Sequence, residues 1–506
     1  MTGIPVQDIN KKINQRRFND PAWEQAPYAL WRDYFLLQQQ WWNQTAQGMQ
    51  GVEERDQKVL AFAINQWLEF YSPGNWPMTN PVVLKRTHDE HGANLQRGLE
   101  HLKDDFNRLF SGRPPAGTEA FTVGQEVAAT PGKVVLRTPL MELIQYTPTT
   151  KKVHPEPILI VPAWIMKYYI LDLSQHNSLI KYLVDQGHTV FCISWVNPGA
   201  EHRDMGMDDY LELGFYAALN AVNAIVPNQK VHATGYCLGG TLLSIAAATM
   251  TRDGAGDTLA SLSMLAAQTD FSEPGELSLY ISEKQLDMLD VQMQQKGYLS
   301  GEQMATAFVM LRSYDLLWSR LINEYALGDR QPMNDLMAWN ADTTRMPARM
   351  HSQYLRRLYL HNDLAQGHYC VKDRPISLTD LALPIFAVGT LSDHVAPWKS
   401  AYKLHTLSPA EITFALTNGG HNAGIISQPG HPRRQYQVKT RPFGAKAITP
   451  DEWVAQAPMQ SGSWWPEWLR WLQARSGTKV NPPSMGAPDN GYAVIADAPG
   501  NYVKER

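Results

Sequence analysis

The sequence predicts an α/β fold in which a mostly parallel sheet carries helices on both faces, with a mainly helical cap insertion and a helical N-terminal domain. Three observations point there. Short apolar runs alternate with amphipathic helical stretches beyond about residue 118, a glycine-flanked cysteine sits at a strand-to-helix junction, and the first 115 residues hold no strand-like run. At 506 residues the chain exceeds one compact core of ordinary size, so a large domain with an attached or inserted unit is expected. Its 45 basic and 49 acidic residues nearly balance at −4, which gives a polyanion nothing to bind and excludes nucleic acid as a partner. Cys192, Cys237 and Cys370 are an odd number of cysteines that builds no disulfide framework and suits a reducing, cytoplasmic compartment. Residues 1–10 lack the charged head and apolar block of a secretory signal, and no segment reaches the roughly 18 uninterrupted apolar residues that a membrane helix requires. The 16 tryptophans read mainly as core, with room for surface aromatics that meet an apolar phase.

In chain order, residues 1–115 form the helical N-terminal domain. Ala61, Ile64 and Leu68, with neighbouring Trp67 and Phe70, recur at helical spacing until Pro73 and Gly74 stop the segment, and a second amphipathic run covers about Asn80 to Leu109. The cluster Ser111-Gly112-Arg113-Pro114-Pro115-Ala116-Gly117 reads as a linker, which places the catalytic domain at 118–506. Runs suited to buried parallel strands follow at Ile158–Val161, Val190–Trp195, Val231–Thr234, Leu262–Ala266, Ile385–Val388 and Ile412–Leu416. Between the first two, Asn177 to Gln186 reads as a helix with Asn177 as N-cap, Leu179 and Leu183 on one face and Gly187 at the exit. Between the next two, Phe215, Leu219, Val222 and Val226 repeat at helical spacing before Pro227. From about 270 to 380 the rhythm breaks into a stretch rich in Met, Leu, Trp and Tyr, expected as a lid over the carboxyl edge of the sheet. The sheet resumes at Leu383, and a Trp-rich helix, Trp464 to Leu472, precedes a Pro/Gly-rich tail; no internal repeat is visible.

The most informative stretch is Gly235-Tyr236-Cys237-Leu238-Gly239-Gly240, between a strand and the Ala-rich helical run from Leu242 to Met250. A sharp turn of this form carries the nucleophile in the α/β-hydrolase fold, and its glycines are needed because the strained backbone leaves no room for a Cβ. Here the nucleophile is a thiol, and the positive end of a helix dipole favours thiolate over thiol. The thiol requires a base, and the base an orienting acid; in this fold both follow the nucleophile, acid first. Asp393, past the strand ending at Val388-Gly389, is the expected acid, and His421, in Asn418-Gly419-Gly420-His421-Asn422-Ala423-Gly424, is the expected base. Two rivals stay open: Asp270 for the acid and His394 for the base. A tetrahedral intermediate also needs preorganised N–H donors. One is expected at Leu238 and the second in the loop Ala163-Trp164-Ile165, at Trp164 or Ile165. Cys192 and Cys370 read as small buried hydrophobes. Without a G-x-x-x-x-G-K-[ST], G-x-G-x-x-G or H-E-x-x-H motif, neither a nucleotide cofactor nor a metal is expected.

With the elbow, Asp393 and His421 in place, the chain resembles the polyhydroxyalkanoate synthases, which polymerise (R)-3-hydroxyacyl-CoA thioesters into storage polyester. The likeness runs from about Arg17 to the C-terminus. It includes Arg17-Phe18-Asn19-Asp20-Pro21-Ala22-Trp23, Lys167-Tyr168-Tyr169-Ile170-Leu171-Asp172-Leu173, Gln186-Gly187-His188-Thr189-Val190-Phe191, Trp339-Asn340-Ala341-Asp342, Asp393-His394-Val395-Ala396-Pro397-Trp398, Gly420-His421-Asn422-Ala423-Gly424 and Gly462-Ser463-Trp464-Trp465-Pro466-Glu467-Trp468. The resemblance implies that Cys237 holds the growing acyl chain as a thioester, that His421 is its general base, and that Asp393 also assists deprotonation of the incoming 3-hydroxyl. It further implies that coenzyme A belongs to substrate and product and is no cofactor. A homodimer, an N-terminal region for dimerisation and attachment to the polyester granule surface, a cap near 270–375 and a cytoplasmic, granule-associated location follow from the same likeness. A single chain with its own N-terminal domain is similar to the class I type, which prefers short groups such as 3-hydroxybutyryl and needs no second subunit type. Met166 and Ser319 stand where relatives often carry Asn; both bear on substrate access or preference, and neither removes the triad. The alternative is a thioesterase or dienelactone-type hydrolase that admits water to the same triad. A rival of another class is a catalytically idle granule-coat protein.

Overall fold

The computed structural model describes residues 6–311 and 313–506, so the first five residues of the expected N-terminal domain, and of the stretch read for a signal, lie outside the described residues. The chain divides into two compact units. One contains the residues up to Glu119 together with Glu302–Asn334; the other contains Ala120–Gly301 and Asp335–Arg506.

The first unit is helical, with helices at Val6–Arg17, Tyr28–Gln47, Glu54–Tyr71, Pro81–Asp89 and Ala93–Phe110. The run expected from Asn80 to Leu109 is therefore two helices. Asn80 caps the first, its side chain accepting from the N–H groups of Val82 and Val83, and Gly92 separates them at φ 85°, a conformation that glycine alone adopts cheaply. Residues 302–334 join this unit through a backbone contact that only glycine permits: a Cβ on Gly98 would lie 1.9 Å from the Tyr325 carbonyl oxygen. Around that contact Asn94 donates to the Ala326 carbonyl at 2.8 Å, the Tyr325 hydroxyl to Asp105 at 2.7 Å, and Arg330 to Asp104 at 2.9 Å. In the Arg17–Trp23 segment, Asp20 accepts from the Ala22 N–H at 2.8 Å and starts a single 3₁₀ turn that buries Trp23 edge-on against Phe18. Arg17 is buried as well, paired with Glu69 at 2.5 Å, bonded to the Ser72 hydroxyl at 2.8 Å and lying 4.2 Å from the centre of the Tyr314 ring. Trp31, Trp41, Trp67 and Trp76 are exposed in this unit.

The second unit is built on one sheet. Among the described residues its strands are β1 (Gly132–Arg137), β2 (Met141–Tyr146), β3 (Ile158–Val161), β4 (Val190–Trp195), β5 (Val231–Tyr236), β6 (Leu259–Leu265), β7 (Ile385–Thr390), β8 (Ile412–Thr417), β9 (Gln435–Arg441), β10 (Met459–Ser461) and β11 (Ala496–Asp497). The spatial order is β10-β9-β8-β7-β6-β5-β3-β4-β2-β1-β11. From β4 across to β8 the neighbours pair in parallel, and these strands are the apolar runs expected from the sequence. Both margins are antiparallel. The Pro/Gly-rich tail supplies one of them, β11, which pairs with β1. The helix expected from Asn177 begins one residue later, with Ser178 as its cap: the Ser178 hydroxyl accepts from the Lys181 N–H at 2.9 Å. Asn177 instead accepts from the Ser174 N–H and donates to Asp335, each at short range, so its oxygen is committed to the turn before the helix.

Arg17→Ala should lower the stability of the first unit by about 3 kcal/mol, because Glu69 would remain buried and unpaired. Amide exchange in the Glu54–Tyr71 helix measures this, and the paired replacement Arg17→Met with Glu69→Leu should recover most of the loss.

Candidate active site

Parallel strands end at a common edge, which is where α/β sheets gather functional groups. The last residue of β5 is followed directly by Cys237, at φ 52° and ψ −124°, and the helix Leu238–Arg252 starts at the next residue. The bend is closed by contacts that exclude side chains. A Cβ on Gly235 would lie 2.3 Å from the Gly240 Cα, one on Gly239 would lie 2.0 Å from the Val161 carbonyl oxygen, and one on Gly240 would lie 2.4 Å from the Ala267 Cβ. Cys237 is held from below, its N–H donating to the Leu265 carbonyl at 2.9 Å, and its side chain is partly exposed.

Two strands over, the turn after β7 presents Asp393, and the loop after β8 presents His421. The His421 Nδ1–H donates to Asp393 Oδ2 at 2.8 Å, and the sulfur of Cys237 lies near enough to the imidazole to favour its charged form. Asp393 is fixed by three further donors: the Thr390 hydroxyl at 2.8 Å to the same oxygen, and the N–H groups of Val395 at 2.9 Å and Ala396 at 2.8 Å to the other. Burial alone would push the Asp393 carboxyl up. The neighbouring His421 charge and these donors outweigh it and hold the group below the usual carboxylate range. For His421 burial works against the charged form, but the Asp393 carboxylate and the Cys237 sulfur prevail and raise its pKa well above the ordinary histidine value. The three groups thus form a sulfur–imidazole–carboxylate line, with the imidazole disposed to carry a proton. The Tyr236 ring lies 5.6 Å from the imidazole and its hydroxyl donates to Asn422 at 2.6 Å, which steadies the loop at His421 and the residue after it.

The rival side chains are engaged elsewhere. Asp270 accepts from the Ser272 N–H at 2.7 Å and from Asn362 at 3.2 Å, so it is a turn former. His394 follows Asp393 without sharing its bond to His421. Cys192 is buried in β4, with its thiol pushed well up by burial. Cys370 is partly exposed and donates to the His368 carbonyl at 3.5 Å. Leu238, at the first helical position, and the loop of Trp164 and Ile165 after β3 adjoin one another: the Gly239 approach to Val161 and Pro162 brings the start of the helix against the start of that loop. Met166 lies in this loop, bridged to Thr343 and packed on the core, whereas Ser319 belongs to the first unit, where its hydroxyl accepts from Asn323 at 3.3 Å. Among the described residues no group of three or more His, Cys, Asp or Glu side chains is placed to hold a metal ion.

Sequence reasoning missed two tyrosines. Tyr354 and Tyr359 meet edge to face with rings 5.3 Å apart; both lie within electrostatic reach of the Cys237 sulfur, and Tyr359 reaches Asp393 as well. Burial raises both hydroxyl pKa values, so they stay protonated. Residues i and i+5 do not share a face of an α-helix, and the segment Leu355–Leu360 is π-helical, which brings them together. Phe271, 4.9 Å from Tyr359, extends this apolar wall.

The fold and the cysteine elbow define an enzyme of the α/β-hydrolase class. A model of the α/β-hydrolase fold matches residues 156–427, and the model described as the poly-beta-hydroxybutyrate polymerase (PhaC) N-terminus matches residues 14–183. The poly(3-hydroxyalkanoate) polymerase of Methylorubrum extorquens is 39% identical over 492 residues, covering 97% of this chain and 80% of its own. The polymerase subunit PhaC of Cupriavidus necator is 34% identical over 502 residues, covering 98% of this chain and 84% of its own. A solved thioesterase domain from the curacin biosynthetic pathway covers 58% of this chain and 94% of its own at 16% identity, with a TM-score of 0.33. The chain belongs to the poly(3-hydroxyalkanoate) polymerase family and is an acyltransferase.

Asp393→Asn should cost more stability near pH 6 than near pH 10. A raised histidine pKa contributes stability in full below about 6.5, the unfolded value, and loses it as pH rises through the folded value. The lowered Asp393 value keeps the carboxylate charged down to below its usual 3.8, so its share is lost only as pH falls through the folded value. Unfolding of both proteins across this range checks the sign, and equal losses at pH 6 and pH 10 would contradict it.

Proposed function

We propose that the chain polymerises (R)-3-hydroxyacyl groups, 3-hydroxybutyryl among them, from coenzyme A thioesters through an acyl-Cys237 intermediate, with His421 as base and Asp393 as its orienting acid. The observation that carries this reading is the line from the strained Cys237 through His421 to Asp393, with 2.8 Å between the last two. In the first step the Cys237 sulfur attacks the thioester carbonyl, the carbon–sulfur bond to coenzyme A breaks, and His421 supplies the proton that leaves with the coenzyme A thiol. In the second, a 3-hydroxyl attacks the acyl-Cys237 carbonyl and gives its proton to His421, a new ester forms, and the Cys237 sulfur is released. The N–H of Leu238 and one at Trp164 or Ile165 hold the oxyanion in both steps. Exchange between two thioesters leaves little energy to be made up in the first step, which suits a cysteine. Water competes with the hydroxyl in the second, and the buried Tyr354 and Phe271 side chains, with the half-buried Tyr359, support its exclusion.

The granule-associated location and homodimer implied by the family remain part of this proposal. The exposed tryptophans of the first unit suit contact with an apolar polyester, and no helix among the described residues is long and apolar enough to cross a membrane.

Incubation with 3-hydroxybutyryl-CoA should yield polymer and free coenzyme A; free 3-hydroxybutyrate without polymer would establish the hydrolase instead. Cys237→Ala should abolish coenzyme A release; unchanged release would remove Cys237 from the mechanism, and no release by the unaltered chain would favour a mere coat protein. His421→Gln should slow acylation by about 10²–10⁴-fold, and a variant within a few fold of the unaltered chain would remove His421 from the mechanism.

A further inference from the structure

The loop that leaves β3, from Pro162 to Lys167, contains the proposed second oxyanion donor, so whatever fixes this loop fixes a donor. Its carbonyls are taken by distant parts of the same unit: Pro162 by the Trp195 indole at 2.8 Å, Trp164 by the Thr344 hydroxyl at 3.1 Å, and Lys167 by the Trp339 indole at 2.8 Å. Beside these and the bridge from Met166 to Thr343, the Lys167 side chain fastens the loop. It is 3% exposed, and its ammonium donates to two main-chain carbonyls near the end of the sequence, Glu505 at 2.8 Å and Tyr502 at 3.3 Å. Burying an ammonium is costly, and a methionine would fill the same stem without that cost. What the charge adds is a link of defined length to residues 502 and 505.

Those residues are themselves anchored to the sheet. Glu142, buried on β2, accepts from the Asn501 N–H at 2.8 Å and the Tyr502 N–H at 3.0 Å, and is paired with Arg137 at 2.6 Å. The Tyr502 hydroxyl donates to the Thr138 carbonyl at 2.9 Å, and Val503 is in the core. Farther along, the Glu505 carboxylate accepts from the Asn197 N–H at 3.2 Å, while the Asn197 side chain accepts from the Arg345 N–H at 2.9 Å. An unbroken series of bonds runs from the sheet margin through residues 501–505 and the Lys167 ammonium into the loop.

We propose that residues 501–505 are a strap that holds the loop of Trp164 and Ile165 in register with the Leu238 N–H, and that Lys167 is the positioning residue through which it acts. The inference rests on the acyl-Cys237 reading, since only a carbonyl addition there creates an oxyanion. Losing one preorganised donor outright costs about 10²–10³ in rate, so loosening it should cost a substantial part of that.

Two reactions of the same sulfur separate this role from general support. Acyl transfer from 3-hydroxybutyryl-CoA passes through an oxyanion, whereas alkylation of Cys237 by iodoacetamide needs the thiolate and no oxyanion hole. Lys167→Met, and a chain ending at Lys504 that keeps Lys167 and Val503, should each lower kcat for coenzyme A release about tenfold or more at unchanged KM, with Cys237 alkylated at the unaltered rate. Turnover within twofold of the unaltered chain in the shortened protein, or an equal fall in both reactions, would overturn the strap. Failure of iodoacetamide to label Cys237 in the unaltered chain would overturn the nucleophile assignment instead, and the strap would fall with it.

Discussion

The close approach of main chain to main chain at the bend after β5 is the constraint on which the rest depends. With 2.0 Å between a would-be Gly239 Cβ and the Val161 carbonyl oxygen, the helix start has no latitude to move away from β3. That contact sets the helix start against the loop after β3, beside Cys237 at its positive φ, and the turns after β7 and β8 present Asp393 and His421 at the same edge of the sheet. The parallel register from β4 to β8 sets the directions, and the bend sets the distances.

Histidines at different places in the second unit show how environment decides their charge. His421 has a buried carboxylate for a partner and is driven toward the imidazolium. His188 and His232, near the starts of β4 and β5, meet no such anion; burial pushes them down to about 3 and about 4, so they are neutral. His188 stacks on His154 at 4.6 Å, and His232 is satisfied by the hydroxyls of Ser261 and Ser476. Of these three histidines, the one beside the buried carboxylate at the sheet edge is the one driven to carry a proton.

The parts of the molecule readable from sequence are those where one residue type has one physical use. A cysteine between glycines at a strand-to-helix junction, and an acid and a histidine in later post-strand loops, could be assigned by order alone. The strands of the margins escaped notice for a physical reason: Gln435–Arg441 alternates polar residues with few apolar ones, and β11 is two residues long in a tail rich in Pro and Gly. The grouping of 302–334 with the N-terminal helices depends on the absent side chain of Gly98 meeting a carbonyl more than two hundred residues away, a contact without a local pattern. Asn177 and Ser178 are both competent caps, and only tertiary demand on Asn177 decided between them.

The π-helical segment Leu355–Leu360 carries a consequence for how this wall of the site can vary. A π turn amounts to an α turn that has taken in one surplus residue. Excising one of the residues between Tyr354 and Tyr359 would restore ordinary winding and leave the two tyrosines four positions apart, which in an α-helix is still one face. Tyr359 would go on facing Tyr354, and only the length of chain between them would change. Gain or loss of a single codon is therefore absorbed by the winding of this segment, and the tyrosine pair keeps its place where an ordinary helix would have turned it aside.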